Sequence, residues 1–149
     1  MDKNDYFMAV DCGTQSVRIL VFDSKGNLNL KVKYGITEYK TIKPGWKEIH
    51  PDILWQKICE GIRELKKEHR EIIDSILGVT LSCQRDSVVV VDKEGKPLRD
   101  CIIWSDSRKA QKVRPIALWA NIALILVRFK RIGETFNREF RANWLRENE

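Results

Sequence analysis

The chain has 149 residues, enough for one domain with a buried core, and its 43% hydrophobic and 32% charged residues are those of a globular protein rather than a disordered one. Asp2, Lys3, Asn4 and Asp5 precede any apolar run, which argues against a signal peptide; the longest apolar stretch, residues 116–127, is interrupted by Asn121 and falls short of the roughly twenty residues of a bilayer span. The net charge of +6 is local, with 18 basic against 17 acidic residues through Arg108 and 9 against 4 from Lys109 onward.

That basic excess consists of single residues (Arg128, Lys130, Arg131, Arg138, Arg141, Arg146) interleaved with apolar ones, the pattern of solvated helix faces, so neither a nucleic-acid partner nor a membrane is expected. Cys12, Cys59, Cys83 and Cys101 are scattered, with no CxxC pair and no His at ligand spacing. Reduced thiols in a cytoplasmic protein are the expectation, rather than a disulfide framework or a zinc site.

Residues 6–11 form a short apolar run and residues 16–23 a β-branched and aromatic one, each predicted to be a strand, with the tight turn Cys12-Gly13-Thr14-Gln15 between them. Ser24-Lys25-Gly26-Asn27 signals a hairpin, after which Leu28, Leu30, Val32 and Tyr34 alternate with polar residues as in a half-buried third strand. Lys43-Pro44-Gly45-Trp46 breaks the pattern. A helix is predicted next, with His50 before it, Pro51 as its first residue and Asp52 at the positive end of its dipole. Leu54, Ile58, Ile62 and Leu65, with Trp55 alongside, make its apolar face. Strands are expected over residues 76–82 and 87–91, and another ending near Trp104 beyond the turn Asp92-Lys93-Glu94-Gly95. Beyond Ser105 the signals are helical: Trp119, Ile122, Ile125, Leu126 and Phe129 in one segment, Phe140, Trp144 and Leu145 in the last. The order predicts a mixed α/β domain. Arg146-Glu147-Asn148-Glu149 contains no helix breaker, which suggests a helix that continues and hence a fragment of a longer domain.

Three constellations carry chemistry. In Asp11-Cys12-Gly13-Thr14-Gln15-Ser16-Val17-Arg18, a strand ends in a carboxylate and a glycine admits close approach of the backbone. Hydroxyls, backbone N–H groups and the Arg18 guanidinium suit phosphate oxygens, and Asp11 suits a hydrated magnesium ion. The same residues read equally well as a plain hairpin turn with a surface ion pair. In Ser82-Cys83-Gln84-Arg85-Asp86, Arg85 and Asp86 could grip sugar hydroxyls or form a salt-bridged loop. In Trp104-Ser105-Asp106-Ser107-Arg108, Trp104 could pack on the C–H face of a sugar or belong to the core, and Asp106 could bond a hydroxyl or cap the helix expected after it.

In their order these motifs resemble the N-terminal part of the FGGY-family carbohydrate kinases, which include xylulokinases and glycerol kinases. The resembling segments are Asp-x-Gly-Thr-x-Ser-x-Arg from Asp11, Pro44-Gly45-Trp46 with its helix, Gly78-Val79-Thr80 leading to Gln84-Arg85-Asp86, residues 92–98, and Ile102-Ile103-Trp104-Ser105-Asp106-Ser107-Arg108. The resemblance covers residues 6–149. It implies an actin-like, ribonuclease-H-like fold with a mixed sheet and flanking helices, residues 1–149 being most of the first domain, C-terminally truncated and without the second. It also implies an ATP- and magnesium-dependent phosphotransferase acting on an alcohol group of a sugar or polyol. Asp11, Gly13, Thr14, Gln15, Ser16 and Arg18 would face the phosphates, with Asp11 holding magnesium through water; Arg85, Asp86, Trp104 and Asp106 would face the substrate. Gln15 departs from the small hydroxyl residue more usual there, and Val17 from the serine of some members. Arg85-Asp86 resembles the Arg-Glu pair of glycerol kinases with a shorter acid, whereas xylulokinases carry Met-His. The general-base aspartate is expected beyond residue 149, so the chain alone is expected to be inactive. A remnant without turnover that binds a sugar or a protein is the other reading, and the apolar residues of the tail suggest self-association.

Overall fold

The computed structural model describes residues 5–113 and 115–149, so the first four residues, three of the polar N-terminal set among them, lie outside the described part. The chain divides into two units, one made of residues up to Tyr39 with Ile49–Arg85, the other of Lys40–Glu48 with Asp86–Glu149.

In the first unit, strands β1 (Tyr6–Cys12), β2 (Ser16–Asp23) and β3 (Leu28–Gly35) form an antiparallel meander. The Ser24–Asn27 turn closes as expected: Gly26 takes φ 82°, and the Asp23 carboxylate accepts the N–H groups of Lys25 and Asn27 at 2.9 Å each. A left-handed residue is what this turn needs, and only glycine adopts it without a Cβ penalty. Helix α1 (Pro51–Glu68) starts as predicted, with Pro51 in its first turn and His50 Nδ1 accepting from the Asp52 N–H at 3.3 Å. It packs on β2 and β3 through a face whose buried members are Gly61 and Leu65. Trp55, expected on that face, is instead 65% exposed, because residue 55 lies one position round from the Leu54–Ile58–Leu65 stripe.

A short helix, α2 (Arg70–Asp74), then leads into β6 (Ile76–Cys83). Strand β6 pairs parallel with β1 and completes a mixed sheet of order β3-β2-β1-β6. Met8, Val10, Val17, Ile19 and Val21, on the face that α1 covers, form the core. Their row continues across β6 as Val79 and Leu81, which are exposed.

The second unit holds a small sheet of β4 (Lys40–Thr41), β5 (Lys47–Ile49) and β7 (Cys101–Ile102). The strand expected over residues 87–91 is present only as two isolated bridges, Val88 to Ile102 and Val91 to Pro97, around the turn in which Asp92 Oδ1 accepts from Glu94 and Lys96. Likewise the strand expected to end near Trp104 is only the two residues of β7. No helix follows Ser105 directly; α3 (Leu118–Leu126), α4 (Lys130–Glu139) and α5 (Arg141–Asn148) come later. Among the described residues, no helix is long and apolar enough to cross a membrane.

The polar centre of this unit is a caged arginine. Arg108 is 3% exposed and bonded through its guanidinium to Asp106 (2.7 Å) and Glu48 (2.7 Å). It lies against the rings of Trp46 (4.4 Å) and Trp144 (4.7 Å), which themselves meet edge to face. Arg141, read from sequence as a solvated helix residue, is also buried: Nη2 donates to the carbonyls of Trp104 and Asp106 at 2.7 Å each. Its position at the start of α5 lets it reach the backbone carbonyls of the 104–108 segment.

Candidate functional site

The first candidate site is the turn between β1 and β2. Asp11 and Arg18 are register partners across the two strands, and a three-residue link, Gly13 to Gln15, is closed by the Gly13 N–H to Ser16 carbonyl bond (3.0 Å). Pairing therefore puts carboxylate and guanidinium side by side: Arg18 Nε lies 3.4 Å from Asp11 Oδ2 and donates to Ser16 Oγ at 3.2 Å. The Arg18 side chain is 45% exposed, and its Nη nitrogens have no partner among the described residues, which leaves the outer fork open to an anion. A Cβ on Gly13 would come within 3.3 Å of the Ser16 carbonyl and 3.6 Å of Arg18 Nη2, so glycine keeps this recess clear. Gln15 is exposed at the tip, and its carbonyl accepts from the Ile36 N–H at 2.9 Å.

The turn is tied to the residues that follow β6. Thr14 Oγ1 donates to Gln84 Oε1 at 3.0 Å, and the Gln84 N–H donates to the Cys12 carbonyl at 3.1 Å. Tyr39 donates its hydroxyl proton to the Thr14 carbonyl. Two motifs 70 residues apart in the chain thus share one end of the sheet, since parallel pairing of β1 with β6 ends both strands there. Tyr39 is a positioning residue that sequence reading missed, and nothing local marks it; Gln84 belongs to the second constellation of the sequence, and its hold on the Thr14 turn follows from the strand order. Burial, then the neighbouring Cys83 and Asp11, push the Cys12 thiol above its ordinary value. Arg85 is exposed at the end of this unit.

The second candidate site lies in the other unit. Asp86 adopts φ 61°, a left-handed conformation that non-glycine residues rarely take and that recurs at ligand sites. Asp86 and Trp104 line a cavity of about 310 Å³ whose far wall is Phe136, Glu139, Phe140 and Arg141. Trp104 is 49% exposed, with its N–H held by Ser87 Oγ at 3.2 Å, so its ring is a wall of the cavity and not core.

Asp106 plays a different part from the one expected of it. It caps no helix, and both carboxylate oxygens are occupied: Oδ1 by the N–H and Nε of Arg108 (2.8 and 2.9 Å), Oδ2 by the Lys47 N–H (2.6 Å) and Arg108 Nη2 (2.7 Å). A carboxylate has about four acceptor positions, and here all are used, leaving none for a hydroxyl. Burial, the strongest single influence, pushes the Asp106 carboxyl up, but the bonds from Arg108 and Lys47 outweigh it and hold the group below the usual carboxylate range.

A larger cavity of about 560 Å³, lined by Asn121, Lys130, Arg131 and Arg138 among others, contains none of the predicted site residues.

A mixed sheet that ends in a carboxylate–glycine–hydroxyl turn, with helices flanking it, is the first-domain architecture of the actin-like, ribonuclease-H-like class. Residues 6–149 match the FGGY family of carbohydrate kinases, N-terminal domain, and the chain belongs to that family. Over 108 residues it is 36% identical to the glycerol kinase of Rhizobium meliloti (strain 1021), an alignment covering 70% of this chain and 21% of that protein. A xyloylose kinase from Brucella ovis superposes with a TM-score of 0.66 at 28% identity, covering 69% of this chain and 22% of that one. Plasmodium falciparum glycerol kinase, solved with ADP, gives a TM-score of 0.60 at 27% identity over 70% of this chain and 21% of the other. The chain spans about a fifth of the length of the curated relatives it matches.

Proposed function

We propose that this chain supplies the N-terminal, phosphate- and substrate-facing domain of an ATP-dependent kinase acting on a hydroxyl of a sugar or polyol. The observation that carries the reading is the Asp11–Arg18–Ser16 cluster around the Gly13 recess, in a chain of the FGGY family. Asp11, Gly13, Thr14, Gln15, Ser16 and Arg18 would receive the ATP phosphates: the open Arg18 fork and the turn N–H groups take oxygens, and the Gly13 recess admits them close to the backbone. The donor set fits magnesium as well. No cluster of three or more metal-ligating residues exists among the described residues, and magnesium prefers one or two carboxylates, phosphate oxygens and retained waters, which Asp11 could hold. Bound there, the ion would neutralise charge on the phosphates.

Asp86 and Trp104 would accept the substrate in their cavity, with a carboxylate for hydroxyls and an aromatic face for C–H groups. The Arg85-Asp86 pair favours a glycerol-kinase-like polyol over xylulose. Asp106 serves as framework, holding Arg108 and the β5 backbone rather than substrate. A soluble cytoplasmic setting suits such an enzyme. The general base is assigned to no residue of this chain, so we expect the 149 residues alone to give no sustained ADP formation. A second reading, a binding module without turnover, draws on the exposed apolar residues Leu118, Trp119, Ile122, Leu126, Phe129 and Phe136 of the tail, which would support self-association.

The test is Asp11→Ala in a full-length kinase carrying this N-terminus, assayed for ADP release with glycerol and with ketopentoses. A fall in turnover of well over tenfold, about 1.4 kcal/mol or more of transition-state stabilisation, with unchanged circular dichroism is expected. Turnover within tenfold of the parent, or steady ADP formation by the 149-residue chain, would overturn the assignment.

A further inference from the structure

Cys12 and Cys83 are the last residues of β1 and β6, and they are register partners in the parallel ladder. Residues so paired point their side chains to the same sheet face, and adjacent strands run about 4.8 Å apart. That spacing is inside the roughly 4.4–6.8 Å range of Cα separations that a disulfide bridges. Both cysteines are free thiols, Cys12 buried and Cys83 exposed. Just beyond the two cysteines the Gln84 N–H donates to the Cys12 carbonyl at 3.1 Å, so the strand ends that a disulfide would join are already held side by side. Cys59 lies on α1 and Cys101 on β7, with no cysteine opposite either in a ladder.

We propose that Cys12 and Cys83 form a reversible oxidation site, closing to an intramolecular disulfide when the protein meets a peroxide. The exposed Cys83 thiol gives up its proton and its sulfur attacks one peroxide oxygen; the O–O bond breaks, the departing hydroxide takes up that proton and leaves as the first water, and Cys83 becomes a sulfenic acid. The Cys12 thiol then gives up its proton and its sulfur attacks the Cys83 sulfur. The S–O bond breaks and the hydroxyl departs with that proton as the second water. Two thiols and one hydrogen peroxide give one disulfide and two waters, with two electrons passed to the peroxide oxygens. Because Cys12 is already in place, it intercepts the sulfenic acid before a second peroxide can oxidise Cys83 further. The bond joins the strand ends that carry Asp11 on one side and Gln84 on the other. Oxidation would therefore brace the turn through the same two segments that the Thr14–Gln84 bond links. The proposal stands on register and exposure and does not depend on the kinase reading.

The test uses the 149-residue protein, treated with hydrogen peroxide, alkylated, digested with trypsin under non-reducing conditions and read by mass spectrometry. Cleavage isolates Cys12 in residues 4–18 and Cys83 in residues 71–85. The expected product is a dithiothreitol-sensitive link between these two peptides as the dominant cross-link, with Cys59 and Cys101 still alkylated. Cys83→Ser should abolish it and leave Cys12 alkylatable. Oxidation in denaturing urea should scatter the links among all four cysteines. Cys83 converted to sulfinic or sulfonic acid while Cys12 stays free would overturn the proposal. So would links that are intermolecular, or that favour Cys59 or Cys101, in the folded protein.

Discussion

Gly61→Ala sets two effects of similar size against each other on one helix. In the interior of a helix, alanine is favoured over glycine by about 1 kcal/mol, so on propensity alone the change should stabilise α1. Gly61, however, is where α1 meets the sheet. An added Cβ would stand 2.5 Å from Ile19 Cδ1 and 3.1 Å from Tyr34 Cε2, against about 3.5–4.0 Å for relaxed carbon contacts. Ile19 is fully buried, so its Cδ1 can move aside only within a packed core, and overpacking of this kind costs about 1–3 kcal/mol. The expected net is a loss on the order of 1 kcal/mol. Ile19→Val removes Cδ1 at an intrinsic cost of about 0.5–1.5 kcal/mol. In that background Gly61→Ala should change sign and stabilise by up to about 1 kcal/mol, leaving only the half-buried Tyr34 ring to shift. Hydrogen exchange of the α1 amides reads the first unit directly, and about 1 kcal/mol is about a fivefold change in protection. Stabilisation in the parent protein would refute the described helix–sheet contact. An equal cost in both backgrounds would show that Ile19 is not the obstacle.

Asp106→Ala should destabilise the second unit by on the order of 3–5 kcal/mol, because it strips one carboxylate from a buried guanidinium and leaves the Lys47 N–H unpaired; urea denaturation followed by Trp46 and Trp144 fluorescence measures it. The folded Asp106 carboxyl lies below its unfolded value of about 3.9, so its stabilisation is fully present above that pH and is lost as pH falls through the folded value. Acid unfolding of this unit should flatten in the Asp106→Ala protein, and an unchanged acid limb would contradict the assignment. Sedimentation over a concentration series should show self-association that Trp119→Gln with Leu126→Gln reduces; a monodisperse parent would remove the tail surface as a contact site.

The first unit was largely legible because its signals are periodic. Alternation in residues 28–35, the Lys25-Gly26 turn and Pro51 at a helix start each specify local geometry without tertiary help. The run Ser87 to Val91 misled for the opposite reason: four consecutive valines carry no alternation, so they could not show that only Val88 and Val91 find bridge partners. Helix α4, with Gly133, Thr135 and Asn137, has weak propensity and was not anticipated as a separate element. At the sites, the residue types of the β1–β2 turn were readable, and register then decided that Asp11 and Arg18 touch. Asp106 was misread because its partners, Lys47 and the caged Arg108, depend on tertiary folding, and Glu48 and Arg141 gave no local sign of burial at all. A charged residue looks solvated in a sequence until its counter-charges arrive from elsewhere in the chain.

The cage around Arg108 also has a consequence for synthesis on the ribosome. Its walls come from Trp46 and Glu48, then Asp106, then Trp144, so it cannot close until nearly the whole chain has emerged. The first unit has all its strands and α1 by Arg85, and domains tend to fold as units in the order they are made. Between those moments Lys40–Glu48, already translated and threaded through the first unit's sequence, waits with an indole and a carboxylate unpartnered. Of all the segments in the chain, this one has the longest interval in which a chaperone or a stray apolar surface can reach it.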